Sequence, residues 1–359
     1  MKLFYRHLFK TLYGPIILGV LGSTFIFLVD ILSEIVQSVI IKGIPLLSIL
    51  EILSYDIIHI LPLSIPMGVM LGSILGYDIL ARDNELIAFK SLGIGMRSIL
   101  FPPLVVGIFF SSTLILINQF LNPIAKSRRE SLVQEIAYKH PTFRLENDSF
   151  MSGLKNYSIY VKKTTPMGKN KFIVFQNKSD NFSDIILGEG LRGIKGALVL
   201  ENAIIYEMDE MGKKNASANF ERQSIPLKEI ISNFGTLENW PNDYLISLSD
   251  LARKIDLFEK REYPTLRLRS TFHWRVALSI SPIILALLAA LITSGSHRRF
   301  RRGDNIVLGI AFLFFYWLLM TMGKSVTNDG LLKPHLVLWA PNIAYSILAF
   351  VLYLKRERI

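Results

Sequence analysis

Side chains that could exchange protons, ligate metals or attack bonds are sparse and dispersed along this 359-residue chain. It has no cysteine, which removes disulfides, Cys-ligated zinc, iron–sulfur clusters and thiol nucleophiles, and which suits either redox compartment. Its six histidines form no H-x-x-x-H pair, so the helical zinc spacing is missing, and no G-x-S-x-G marks a nucleophile elbow. No two carboxylates can be assigned to one face for acid–base work. Gly323-Lys324-Ser325 comes nearest to a phosphate-binding loop, but the position five before that glycine is Leu318. Five N-x-[ST] matches, at Asn147, Asn156, Asn177, Asn181 and Asn215, read as chance in Asn- and Ser-rich stretches. This inventory predicts no metal and no cofactor.

The segment whose spacing does suggest a role is Leu80-Ala81-Arg82-Asp83-Asn84-Glu85-Leu86-Ile87-Ala88-Phe89-Lys90-Ser91-Leu92-Gly93. Asp83 can cap a helix start, Glu85 favours a first turn and Gly93 can end the helix. The expected product is a short helix over about 83–92 with Leu86, Ile87, Phe89 and Leu92 exposed. Such a helix either lies on lipid or docks a cytoplasmic motor.

The elements that hold this segment follow from composition. Hydrophobic residues make up 51% of the chain and charged residues 19%, against a usual ~25% charged. Crossing ~30 Å of hydrocarbon at 1.5 Å per residue takes about 20 residues. Six windows contain no Asp, Glu, Lys or Arg: Thr11 to Val29, Ile57 to Tyr77, Ser98 to Ala125, Val276 to His297, Asn305 to Gly323, and Pro334 to Leu354. The first is too long for a signal-peptide core and lacks an A-x-A end.

Orientation follows the basic residues of short loops. With the N-terminus inside, the inner segments hold Lys2, Arg6, Lys10, Arg82, Lys90, Arg97, Arg298, Arg299, Arg301, Arg302, Lys355, Arg356 and Arg358, against Lys42, Lys324 and Lys333 in the short outer loops. Both termini are therefore expected in the cytoplasm, and much of the net charge of +11 is topology rather than a nucleic-acid footprint. No window carries an ionisable group at mid-span, which argues against a proton- or ion-coupled transporter. Asp30, Glu34 and His59 fall near outer ends. The inner segments are too short for a nucleotide-binding domain.

Lys126 to Arg275 has no spanning window and reads as a soluble, β-rich domain. Tyr157 to Val161, Lys171 to Phe175 and Ala197 to Tyr206 are expected strands, with turns at Pro166-Met167-Gly168, Gly188-Glu189-Gly190 and Gly212-Lys213-Lys214-Asn215. A sandwich or open roll is the economical fold. Ser247-Leu248-Ser249-Asp250 resembles a capping box opening a helix with Leu251, Ile255 and Phe258 on one side, ended by Pro264.

Taken in order, the chain resembles the lipopolysaccharide-export permease family LptF/LptG, also called YjgP/YjgQ. Leu61-Pro62-Leu63-Ser64-Ile65-Pro66 is similar to the family's LPxxxP, and Leu80, Asp83, Glu85, Leu86, Ala88 and Gly93 fit its L-x-x-D-x-E-L-x-A-x-x-x-x-G loop. Asn122-Pro123, His273-Trp274-Arg275, Arg302-Gly303, Pro334 and Trp339-Ala340-Pro341-Asn342 recur in the family's order.

The resemblance implies an α-helical inner-membrane protein of bacteria with six transmembrane helices, both ends cytoplasmic, and a periplasmic β-jellyroll-like domain between helices three and four. The parts would be residues 1–125, 126–270 and 271–359. Implied partners are an LptB-like cytoplasmic ATPase dimer, a second LptF/LptG-type subunit, an LptC-like periplasmic protein and lipopolysaccharide itself. By this analogy Glu85, with Asp83, Leu86, Ala88, Phe89 and Gly93 around it, would enter the ATPase groove and carry its closing motion into the spans. Family members that carry basic residues at the outer end of span one would use them on lipid A phosphates, whereas that stretch here reads Asp30-Ile31-Leu32-Ser33-Glu34. Lys126, Arg128, Arg129 and Arg275 are the alternative phosphate candidates. A membrane-anchored enzyme acting on envelope lipids, or a permease for another glycolipid, is the competing expectation.

Overall fold

The computed structural model of the protein describes residues 2–40, 45–139, 149–154, 157–162, 171–177, 182–194, 197–208, 214–226, 246–294, 304–328 and 330–357. Six helical segments among them are long and apolar enough to cross a membrane. They begin with α1 (Lys2–Ile40), α2 (Leu46–Arg82) and α4 (Met96–Leu116), with the short α3 (Glu85–Ser91) between the last two. α4 runs through a π-helical turn (Ile117–Leu121) into α5 (Asn122–Lys139). After the strands come α6 (Leu248–Lys260), α7 (Leu266–Thr293), α8 (Asp304–Asn328), α9 (Pro334–Val337) and α10 (Ala340–Glu357). Each uncharged window lies on one of these segments, except that residues 295–297 of the fourth and the arginines at 298–302 are outside the described residues.

Two irregularities have proline causes. Pro123 has no amide hydrogen and its ring crowds the carbonyl four residues back. The chain widens just before it, the Asn122 amide donating to Ile117 O five residues back. In the last span Pro341 has the same deficit, and the helix is interrupted at Leu338 and Trp339.

Two compact units divide the chain, one of residues 1–31, 56–126 and 243–359, the other of residues 32–55 and 127–242. α7 is the hub of the first, with Ala277, Leu285, Ala286, Leu288 and Ala289 fully buried. Gly107 lets α4 approach it closely, since a Cβ there would lie 2.6 Å from Ile283 Cα. Asn342 ties α10 to α7 and α8: its Nδ2 donates to Ala277 O at 2.9 Å and its Oδ1 accepts from Tyr316 Oη at 3.0 Å. All three positions are buried. Asn342→Ala is expected to destabilise the protein by ~1 to 3 kcal/mol, the cost of a buried partner left unsatisfied, read as a lower thermal midpoint in detergent.

In the second unit Ile49 and Ile136 form a small core with Ile52 and Leu132. Its strands are β1 (Ser149–Leu154), β2 (Tyr157–Lys162), β3 (Lys171–Asn177), β4 (Phe182–Ile194), β5 (Ala197–Met208) and β6 (Lys214–Pro226). They form one antiparallel sheet in sequence order, so each strand pairs with the next. The three expected strands are present. The expected turn at Gly188-Glu189-Gly190 is not: β4 continues through it, and the pairing with β5 shifts register on both sides of Glu189. Asn202, opposite, has φ 48°. Glycine's missing side chain here serves a bulge instead of a reversal, because both flanks keep their β partners. The other two expected turns lie wholly or partly outside the described residues. Tyr160, Ile173, Leu187 and Ile204 form one apolar row across four strands.

Candidate functional site

α3 is built by local backbone chemistry. α2 runs to Arg82, and the amide of Asp83 closes its last turn by donating to Ile79 O. Asn84 then turns the chain with φ 58°, and α3 starts without a side-chain cap. The expectation that Asp83 caps the helix is therefore corrected: Asp83 ends α2, and the left-handed residue is Asn, a type that tolerates it. The far end closes as a Schellman motif, with Gly93 N donating to Lys90 O and Ile94 N to Phe89 O. Gly93 has φ 76°, which suits a residue without Cβ.

The faces of α3 also need correction. Leu86 is only 4% exposed and belongs to the core, and Phe89 packs edge-on against Phe4 of α1 with centroids 4.8 Å apart. Ile87, Ala88 and Leu92 form the outward side, Leu92 being 77% exposed. Glu85 is half-buried, its Oε2 2.6 Å from Nε2 of His7 on α1. Sequence reasoning missed this partner, 78 positions away.

The same end of the first unit carries two further links. Asp78 accepts from Asn305 Nδ2 of α8 at 3.0 Å and pairs with Arg82 at 3.1 Å. Asp78 lies one residue beyond the uncharged window, and its i,i+4 relation to Arg82 was the available signal. Arg97 at the start of α4 donates to Tyr353 Oη at 3.1 Å and pairs with Glu357 at 3.7 Å. The first turns of α1, the start of α8, α3 and the end of α10 thus gather at one end of this unit.

α1 is held to α2 by near-contact of backbones. Gly68, Gly72 and Gly76 recur every four residues on α2. A Cβ on Gly72 would stand 2.6 Å from Pro15 O and 2.8 Å from Ile16 N, and one on Gly68 2.8 Å from Gly19 C. Ser23 Oγ donates to Ser64 O at 2.8 Å, continuing the seam. In a membrane, where apolar burial does not drive helices together, close approach and such hydrogen bonds do. The opposite face of α1 exposes Leu18, Leu21 and Phe25, Ile26 is exposed beyond the seam, and α8 exposes Val307, Phe314, Phe315 and Met322.

The four phosphate candidates differ in use. Lys126, Arg128 and Arg129 sit on α5, Arg128 exposed and the other two half-buried. Arg275 is 6% exposed, and its guanidinium donates to Ile246 O at 2.8 Å, fixing the segment that leads into α6. There Ser247 Oγ accepts from the Asp250 amide, the expected cap. Gly323 and Lys324 lie inside α8, with the Lys324 ammonium over the Trp274 ring at 4.7 Å. No group of three potential metal-binding side chains occurs among the described residues.

Residues 6–355 match the family described as "Lipopolysaccharide export system permease LptF/LptG". The chain belongs to the LptF/LptG family. It is similar to the lipopolysaccharide export system permease protein LptF of Escherichia coli K12, 20% identical over 337 residues covering 92% of this chain and 88% of that protein. The LptF proteins of Escherichia coli O157:H7 and Shigella flexneri match to the same extent. As an LptF/LptG member with six helices of spanning length, the chain is a multi-pass membrane permease and not an enzyme.

Proposed function

We propose that this permease extracts lipopolysaccharide from the outer leaflet of the bacterial inner membrane and passes it to a periplasmic bridge, driven by a separate LptB-like ATPase dimer. Family membership over residues 6–355 is the observation that carries this reading. In it both termini and α3 are cytoplasmic, as the thirteen inner basic residues favour. Residues 1–125 and 271–359 form the permease body, and residues 126–270 form a periplasmic β-jellyroll-like domain. A second LptF/LptG-type subunit and an LptC-like protein complete the assembly.

The energetics favour an external motor. At about 0.8 kcal/mol per methylene, drawing one ~14-carbon chain out of the bilayer costs on the order of 11 kcal/mol, and lipid A carries several. The exposed apolar faces of α1 and α8 suit a lateral gate shared with the second subunit, and the apolar row Tyr160, Ile173, Leu187 and Ile204 of the β-sheet suits acyl chains. α3 is the docking element: Ile87, Ala88 and Leu92 face outward, Asp83 and Gly93 bound the hinges, and Glu85, Leu86 and Phe89 join the helix to the body. Lys126, Arg128 and Arg129 are the phosphate candidates at the periplasmic side. Arg275 is a further candidate, with its guanidinium on Ile246 O.

Mild-detergent capture of the tagged chain from its native membrane tests this assembly. The expected eluate contains a soluble ATPase, a second six-span chain and bound lipopolysaccharide. A chain that elutes alone and converts a lipid substrate without partners would instead identify an envelope-lipid enzyme.

A further inference from the structure

α3 grips α1 at two points. Glu85 and Phe89, one helical turn apart on α3, meet His7 and Phe4, one turn apart on α1. Leu8 and Leu86, beside these contacts, are fully or almost fully buried. α3 is bounded by left-handed residues at both ends, Asn84 and Gly93, so it is a short rigid piece between two bends. The carboxylate of Glu85 accepts from His7 Nε2–H, a charge-assisted contact, so displacing α3 pulls on the first turns of α1.

Farther along, α1 has its tightest contact. Pro15, Ile16 and Gly19 meet Gly72 and Gly68 backbone to backbone, leaving no side chain to yield. Ser23 and Thr24 continue this contact through hydrogen bonds to Ser64. At 1.5 Å per residue His7 lies ~14 Å before Ile16, and Val29 lies ~8 Å after Thr24, so the arm before the seam is the longer of the two. Phe25 and Ile26, on the second arm, are exposed.

We propose that α1 is a lever: Glu85 delivers the motion of α3 to His7, the glycine seam is the fulcrum, and the segment around Phe25 and Ile26 swings to open or close the gate. His7 is then a positioning residue. The proposal rests on the coupling role given to α3 above, and adds that Glu85 acts through α1 and not through partner contact alone. Close packing at the seam makes α1 turn about that point instead of sliding along α2, because sliding would drive Cβ atoms into the opposing backbone.

The cysteine-free chain suits spin labelling. Cysteines replace Ile26 and Phe109, both exposed on different helices, in the full complex in lipid nanodiscs, and the distance between labels is measured with and without nucleotide trapping. In the parent the distance should change by several ångströms. His7→Ala should abolish the change and reduce lipopolysaccharide release at least ~10-fold with the ATPase still bound, as expected for losing one charge-assisted contact in the coupled step. His7→Gln, which keeps a nitrogen donor, should restore most of both. His7→Ala combined with Glu85→Gln should release no less than the worse single variant, because the two residues act as one link. A nucleotide-dependent change in His7→Ala equal to the parent's, or additive losses in the double variant, would overturn the lever. Absence of any change and of any lipid release in the parent would overturn the coupling reading itself, and the lever with it.

Discussion

Gly72→Leu is expected to lower the thermal midpoint of the protein by on the order of 10 °C, corresponding to about 3 kcal/mol or more of overpacking. A Cβ there meets the Pro15 carbonyl oxygen and the backbone of Ile16, neither of which can rotate aside. The helices must separate, and separation also lengthens the Ser23–Ser64 and Thr24–Ser64 hydrogen bonds of the same seam. Gly22→Leu is the matched control. It lies on α1 with nothing within 4 Å of the place a Cβ would take, so it should be near neutral. Equal midpoints for the two variants would show that the close approach contributes nothing to stability.

Glu85→Ala is expected to reduce ATP-driven lipopolysaccharide release by ~10- to 100-fold while the isolated ATPase keeps its own hydrolysis. The side chain makes a hydrogen bond of 2.6 Å to His7. Losing an interaction with a charged partner costs about 1.5 to 3 kcal/mol. If that loss falls on the coupled step, the rate falls by the stated factor. The change leaves Leu86 and Phe89 in the core, so α3 should remain folded and the complex assembled. Release at the parent rate by Glu85→Ala would remove Glu85 from the coupling path.

Sequence and structure agree most where one physical demand dominates. Hydrocarbon tolerates only long uncharged segments, and the six windows fall on the six spanning helices. The Ser247 cap was equally legible, because a cap is a local hydrogen bond between a side chain and an amide three residues on. The lengths of α1 and α2, 39 and 37 residues, were not. Past the hydrocarbon, charged residues such as Glu51 and Asp56 no longer oppose helix, so charge-free windows underestimate it. The faces of α3 were misread because seven residues are too few to show a period, and Phe4, which packs on Phe89, lies more than eighty residues earlier in the chain. The same non-locality hid His7 as the partner of Glu85 and the use of the glycines at 68, 72 and 76, whose meaning comes only from the helix opposite.

In the proposed function a partner's ATP hydrolysis, delivered through α3, moves lipopolysaccharide through this permease. The most direct measurement reconstitutes the purified complex with lipopolysaccharide in proteoliposomes and follows its transfer to a soluble periplasmic acceptor, with and without ATP. The expected result is transfer that requires ATP and the bound ATPase and that is lost in Glu85→Ala. Transfer by the permease alone at the same rate without nucleotide, or none with every partner and ATP present, would contradict it.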